Sequence, residues 1–426
     1  MVYNRGMEEE LLQKVLFSQL SEKYYSPKEL MYSSEPGLYL SPFDYKKYLD
    51  YVEKVIETIE DYSYDLNLKS FNSKHIFYLA NEELLSLNDS YISLLREAAT
   101  GNKPLVASIF NNVIYKSRIY SEIEGTLNVE NVPTTRKRLK QLLEKEIEPE
   151  NLNDVIIKNM EEGIKFVYSQ PEFNKDNLLK LYKILSKGCL KEKDEIKEGQ
   201  YYRDDEVEID NYPGCPAKKV SECMDSLFAF VKKSIEKDDG LQLFYLPHIC
   251  HYYILYIHPY FDYNGRTARM VSLWINLMVN DEIMPPLISE AINQNKNEYY
   301  KALRNSRESR NDITYFLIYI LKTAISYILS YKDLETVDQF VKNQGNVLTE
   351  TELNYVKKIL VSYKGKFSYQ DFIKNSQIEI SKQGAFKILN KFVNLKILVV
   401  VDTPSKVKLF DINNKVIKYT KPNRID

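Results

Sequence analysis

The chain is poor in the residues that build cross-linked or metal-clamped folds: its 426 residues include 4 cysteines, 4 histidines and 1 tryptophan. Cys189, Cys215, Cys223 and Cys250 form no Cys-x-x-Cys pair. That excludes a zinc ribbon and argues against a disulfide framework, so reduced thiols and a cytoplasmic location are expected. His248 and His251 flank Cys250, but one face of one helix supplies at most two ligands and zinc wants three or four. His251 reads instead as a buried helix histidine. Only 13 glycines and 15 prolines punctuate the sequence, and the texture is of long periodic helices. No apolar run approaches the roughly 18 residues of a membrane span. The N-terminus lacks an apolar core followed by a small-residue cleavage site, so no membrane partner is expected beyond peripheral contact. Repeats and low-complexity tracts are absent, and the net charge of −2 is near neutral. A chain this long implies about two to four domains.

Against that background, His258 to Arg269 reads His-Pro-Tyr-Phe-Asp-Tyr-Asn-Gly-Arg-Thr-Ala-Arg. It packs a titratable base, a carboxylate, an Asn-Gly turn and two arginines into one short stretch. Asn264-Gly265 signals a turn, and Met270, Leu273, Trp274 and Leu277 after it have helical spacing. The turn therefore opens a helix, whose unpaired N–H groups and dipole form an anion site. Arg266 and Arg269, three apart, occupy neighbouring positions of one face. Asp262, just outside the turn, can hold a magnesium ion against the same phosphates, which leaves His258 free as a base.

These residues resemble the signature of the Fic family, His-x-Phe-x-(Asp or Glu)-Gly-Asn-Gly-Arg-x-x-Arg. Most Fic proteins transfer AMP from ATP to a protein hydroxyl. The resemblance implies ATP and Mg2+ as cofactors, His258 as the base and Asp262 as the magnesium ligand. It implies Asn264 and Gly265 as the cradle for the α- and β-phosphates, with Arg266 and Arg269 gripping the outer ones. Two positions depart from the pattern. Tyr260 stands where Phe is commoner, and Tyr263 replaces the Gly before Asn264, where a β-carbon and a ring restrict the backbone and are expected to crowd the nucleotide.

Upstream, Tyr120-Ser121-Glu122-Ile123-Glu124-Gly125 resembles the family's inhibitory motif, (Ser or Thr)-x-x-x-Glu-(Gly or Asn), with Tyr120 in the hydroxyl position. By this resemblance Glu124, on a helix ending there, pairs with Arg269 and removes a cation the γ-phosphate needs. Residues 199–216 alternate apolar and charged side chains as a β-hairpin would. In the family such a hairpin is a flap along which a target segment pairs by strand addition. Asn295, Asn297, Tyr299, Tyr300 and Leu303 resemble the segment lining the family's adenosine pocket, with Tyr299 or Tyr300 near the base.

The C-terminal stretch is a different object. Val341–Asp426 holds 16 Lys/Arg against 7 Asp/Glu, a local charge of +9, and such asymmetry points to a nucleic-acid or acidic partner. Helix starts are read at Thr349 with Glu352, at Ser368 with Asp371, and at Ser381. Strands over 397–402 and 406–411 flank the turn Thr403-Pro404-Ser405. This is a winged helix-turn-helix layout, with Lys382, Gln383, Lys387 and Lys391 on the third helix and Lys406 and Lys408 on the wing. DNA and protein contact both remain open for it.

The expected fold is mainly α: a Fic-type helical bundle with an inserted β-hairpin flap, plus a C-terminal winged helix-turn-helix domain. Residues 1–150 form a helical region carrying the inhibitory helix, 151–335 the catalytic core, and 336–426 the C-terminal domain. Upstream helices are expected over 7–23, 45–62, 83–98 and 105–124. The expected function is an auto-inhibited protein adenylyltransferase acting on a Tyr, Thr or Ser hydroxyl of another protein or of itself. The alternatives are a Fic site that removes AMP or moves another phosphate-linked group, and a nucleotide-sensing DNA-binding regulator. Expected partners are a hydroxyl-bearing protein, a second copy of the chain, and DNA at 341–426.

Overall fold

Long helical periodicities with few breakers produce a chain in which strands are brief. The computed structural model describes residue 24 and residues 45–99, 113–145, 147–169, 172–209, 212–237, 240–279, 288–363, 365–375, 380–401 and 408–417. The helix expected over 7–23 and the start of that expected from 105 lie outside them, as do the turn at 403–405 and Lys406. The elements in order are α1 (Tyr45–Asp61), β1 (Tyr64–Asp65), β2 (Phe77–Tyr78), α2 (Glu82–Ala99), α3 (Val113–Val129), α4 (Arg136–Glu144), α5 (Leu152–Tyr168) and α6 (Lys175–Ser186). Next come β3 (Glu208–Ile209), β4 (Tyr212–Pro213), α7 (Ala217–Lys237), α8 (Gly240–Ile257), α9 (Asn264–Val279), α10 (Ser289–Gln294), α11 (Lys296–Glu308) and α12 (Thr314–Lys342). The last are α13 (Glu350–Ser362), β5 (Phe367–Ser368), α14 (Tyr369–Asn375), α15 (Lys382–Asn394), β6 (Leu398–Val401) and β7 (Leu409–Ile412).

The described residues fall into two compact units, one from 1–103 and 122–325, the other from 104–121 and 326–426, and two of the three boundaries fall within α3 and α12. At the centre of the first unit α8 packs on α9, with α5, α6 and α7 around them. Helix α9 is buried on all sides from Arg266 to Leu277, the pattern of a central helix rather than a surface one. Trp274, fully buried, takes Phe166 and Phe173 edge-on at centroid distances of 5.7 and 5.2 Å, a favoured arrangement for ring quadrupoles. His248 and His251 of α8 are buried. Burial depresses both, His248 to about 4, and His251 Nε2 bonds the Tyr299 hydroxyl at 2.9 Å.

Three local readings change. Helix α3 does not stop at Glu124 but continues to Val129. Gly125 is therefore interior rather than a cap, and a Cβ there would lie 2.5 Å from the Glu290 nitrogen; glycine lets α3 press against the start of α10. The flap is shorter than expected, a two-residue pair with Glu208 opposite Pro213 and Ile209 opposite Tyr212. Helix α12, of 29 residues, is long and apolar enough by length and composition to cross a bilayer, although 56% of its most apolar window is buried inside the protein. Lys322 within it pairs with Glu83 at 2.6 Å.

In the second unit the three helix starts form as the sequence indicates. Thr349 and Glu352 make a capping box, Ser368 and Asp371 exchange the same kind of bonds, and Ser381 accepts from Gly384 N–H at 3.1 Å. The strands assemble antiparallel in the order β5-β7-β6.

Candidate active site

Helix α8 is ended by Pro259 after His258, and His258 N–H closes back on Ile254 at 2.8 Å. The loop to α9 is bracketed by two residues in the left-handed region, His258 at φ 56° and Tyr263 at φ 65°. For side chains with a β-carbon each costs about 1–2 kcal/mol, so the surroundings must enforce them. Two devices do so. Asn264 is buried and uses its whole amide on the loop, donating to the Tyr260 carbonyl at 2.8 Å and accepting from the Tyr260 N–H at 3.0 Å. Arg203, also buried, donates through Nε to the His258 carbonyl at 2.8 Å and through Nη1 to Asp205 O at 2.6 Å, with Nη2 on Cys215 O.

Asn264→Ala is expected to lower stability by about 1–3 kcal/mol, since it strands two buried backbone groups. Denaturant unfolding measures the loss, and a change below 0.5 kcal/mol would be the size of an ordinary surface substitution.

The first amides of α9 have no intrahelical acceptor, and Thr267 N–H makes the first turn's bond to Tyr263 O at 2.9 Å. This end of α9 opens on a cavity of about 200 Å³, whose walls include His258, Gly265, Arg269, Tyr299, Tyr300 and Glu130. His258 is mostly buried, and burial holds its ring down to about 4. It is thus neutral and able to accept a proton at neutral pH. Tyr299 and Tyr300 both line the cavity.

Arg269 pairs with Thr126 and Glu130 and not with Glu124, the partner expected from the motif resemblance. Its Nε donates to Thr126 Oγ1 at 2.8 Å and its Nη2 to Glu130 Oε1 at 2.7 Å. Glu124 instead meets Arg136 at 3.4 Å. The reason is helical phase: Thr126 and Glu130 are four apart and share a face, whereas Glu124 lies two residues before Thr126, about 200° round the axis. Burial opposes the Glu130 charge, and the Arg269 guanidinium overrides it, holding the carboxyl below the usual range. Asn131, at φ 56°, closes α3, with Val132 N–H on Leu127 O at 2.8 Å in a left-handed helix stop. The helix is seated by Glu122, a buried carboxylate that accepts from Ser289 N–H at 2.8 Å and from the Ser289 hydroxyl. A Cβ on Gly265 would lie 2.5 Å from Glu130 Oε1, so this carboxylate sits over the opening of α9.

The signal for Glu130 is present in the sequence, because Thr126-Leu127-Asn128-Val129-Glu130-Asn131 fits (Ser or Thr)-x-x-x-Glu-(Gly or Asn) at every fixed position. Tyr120–Gly125 fits it only with Tyr in place of the hydroxyl residue.

Tyr263 does not crowd the cavity. Its ring is buried away from the cavity walls, under the Arg266 guanidinium at 3.4 Å from the ring centroid. Arg266, itself buried, lies 3.7 Å from Asp262 and does not line the cavity either. Asp262 is exposed, its Oδ1 accepting from Tyr263 N–H at 2.5 Å. One exposed carboxylate suits a magnesium ion that completes its shell with water and substrate phosphates. Among the described residues no group of three or more His, Cys, Asp or Glu forms a ready-made metal site.

Residues 172–275 match the Fic/DOC family. Over 106 residues the chain is 30% identical to Protein adenylyltransferase fic-1 of Caenorhabditis briggsae, covering 25% of this chain and 18% of that protein. Over 118 residues it is 29% identical to Protein adenylyltransferase Fic of Drosophila virilis, covering 26% of this chain and 23% of that one. The chain thus spans about a fifth of the length of the curated relatives it matches. A Fic family protein from Desulfovibrio desulfuricans G20 aligns at 15% identity and a TM-score of 0.49, over 79% of this chain and 97% of that one. The signature loop lies inside residues 172–275, the part of the chain that is similar to the Fic/DOC family.

Proposed function

We propose that the chain is a protein adenylyltransferase held inactive by Glu130. The observation that carries this reading is the cavity that gathers a neutral His258, the open amide end of α9, Arg269 and the two tyrosines. ATP would lie with its phosphates on the Gly265 end and its base toward Tyr299 and Tyr300. An acceptor hydroxyl beside the flap would lose its proton to His258 as its oxygen bonds the α-phosphorus; the bond to the β-phosphate oxygen breaks and pyrophosphate leaves. Asp262 would hold magnesium, which when bound offsets charge on the phosphates. Glu130, paired with Arg269 over Gly265, takes the γ-phosphate's cation and adds like charge where the phosphates belong. The test is the product from ATP with lysate protein as acceptor, using the Glu130→Gly chain. Pyrophosphate released in step with AMP incorporation supports transfer. Orthophosphate without protein labelling would reject it.

We infer further that residues 336–426 carry a winged helix-turn-helix module. Lys382 and Lys387 are exposed on α15, whereas Lys391 is engaged by Glu352 and Lys408 by Asn390 at 2.7 Å. Of the basic set expected on this surface, these two side chains already have protein partners. If the exposed lysines meet phosphates, duplex DNA binding by the full chain should weaken with salt, and each contact removed by Lys→Ala should lower the log-log slope by about 0.9. Absence of binding at low salt would leave protein contact as the module's role.

A further inference from the structure

The cavity carries two arginines that neither the signature nor the inhibitory residues account for. Arg304 and Arg307 lie on the α11 face that also presents Tyr300 and Leu303 to the cavity, as their spacing of three requires. With Arg269 they set three guanidinium groups against one cavity-lining carboxylate, Glu130, which already belongs to Arg269. Their position is not the phosphate end. Arg307 reaches the flap, its Nη1 3.4 Å from Ile209 O and its guanidinium 5.0 Å from the Tyr212 ring centroid. The flap is held by a further bond from Tyr212 to Glu308 at 3.0 Å. Arg307 is also among the charges that His258 feels, after burial. Arg304, one turn earlier on the helix, is exposed at the cavity wall.

We propose that Arg304 and Arg307 select acceptor segments carrying a carboxylate beside the hydroxyl that is modified. The inference rests on the transferase reading: a segment laid along β3 and β4 with its hydroxyl at His258 brings its neighbouring side chains to these two guanidinium groups. An Asp or Glu there forms a charge-assisted pair, and a Lys or Arg meets like charge, so the pair sets specificity as well as affinity.

The experiment uses the full chain with Glu130→Gly and peptides in which a Tyr, Thr or Ser is flanked by Asp, Ala or Lys. Acidic flanks should lower the acceptor's KM about tenfold relative to Ala flanks, a loss or gain of about 1.4 kcal/mol. Adding Arg304→Glu should reverse the preference toward Lys flanks, and because Arg304 is exposed the fold should tolerate it. Equal use of all three flanks, or a rise in the KM for ATP with the flank preference intact, would overturn the proposal and assign the arginines to the nucleotide. If no peptide or lysate protein is labelled by any variant, the transferase reading has failed instead. The two failures are thereby distinct.

Discussion

Replacing Glu130 by Gly should raise transfer from α-labelled ATP to protein by about tenfold to a hundredfold, the worth of one charge-assisted bond at about 1.5–3 kcal/mol. The 2.7 Å bond between Arg269 Nη2 and Glu130 Oε1 is the contact removed. Its loss frees the guanidinium and clears negative charge from above Gly265. Glu124→Gly should leave the rate at the wild-type level, since Glu124 meets Arg136 and not Arg269. Arg269→Ala in the Glu130→Gly chain should cancel the gain, because the liberated cation is the one that is used. Initial rates of label incorporation decide among these. A Glu130→Gly chain no faster than wild type would remove the auto-inhibitory role.

His258→Ala in the same background should cost about a hundredfold to ten-thousandfold in rate, the usual contribution of a positioned base. Nucleotide binding should persist, because the cradle at Gly265 and Arg269 is untouched. The pH profile supplies an independent check. The working form is the neutral ring, and burial holds its pKa to about 4. As pH falls from 7, transfer by the Glu130→Gly chain should therefore hold through 6.5 and fail only on approach to about 4. An acid limb centred near 6.5 would show a solvent-exposed imidazole and contradict the buried-base assignment.

Much of the site is local in sequence, which is why it can be read there. The opening of α9 at Asn264-Gly265, like the helix starts at Thr349, Ser368 and Ser381 elsewhere in the chain, depends on a few neighbouring residues. Less legible are contacts between distant segments, although the motif at Thr126–Asn131 is itself local. Gly125 looks like a helix terminator until Glu290 is seen against it, and it is Glu130 and not Glu124 that meets Arg269. The roles of Asn264 and Arg203 as clamps on Tyr260 and His258 also lie outside any linear pattern. Tyr263 shows the reverse error. The expectation of crowding assumed that the ring points inward, whereas a left-handed backbone turns it beneath Arg266.

The proposed role of Glu130 is to withhold Arg269, its partner at 2.7 Å, from the nucleotide. Intact-mass measurement of the wild-type and Glu130→Gly chains, each incubated with ATP, magnesium and lysate protein, tests it most directly. AMP adducts should appear on the variant or on acceptor proteins it has modified, with far fewer in the wild-type reaction. Adducts of equal abundance in both reactions, or none in either, would contradict it.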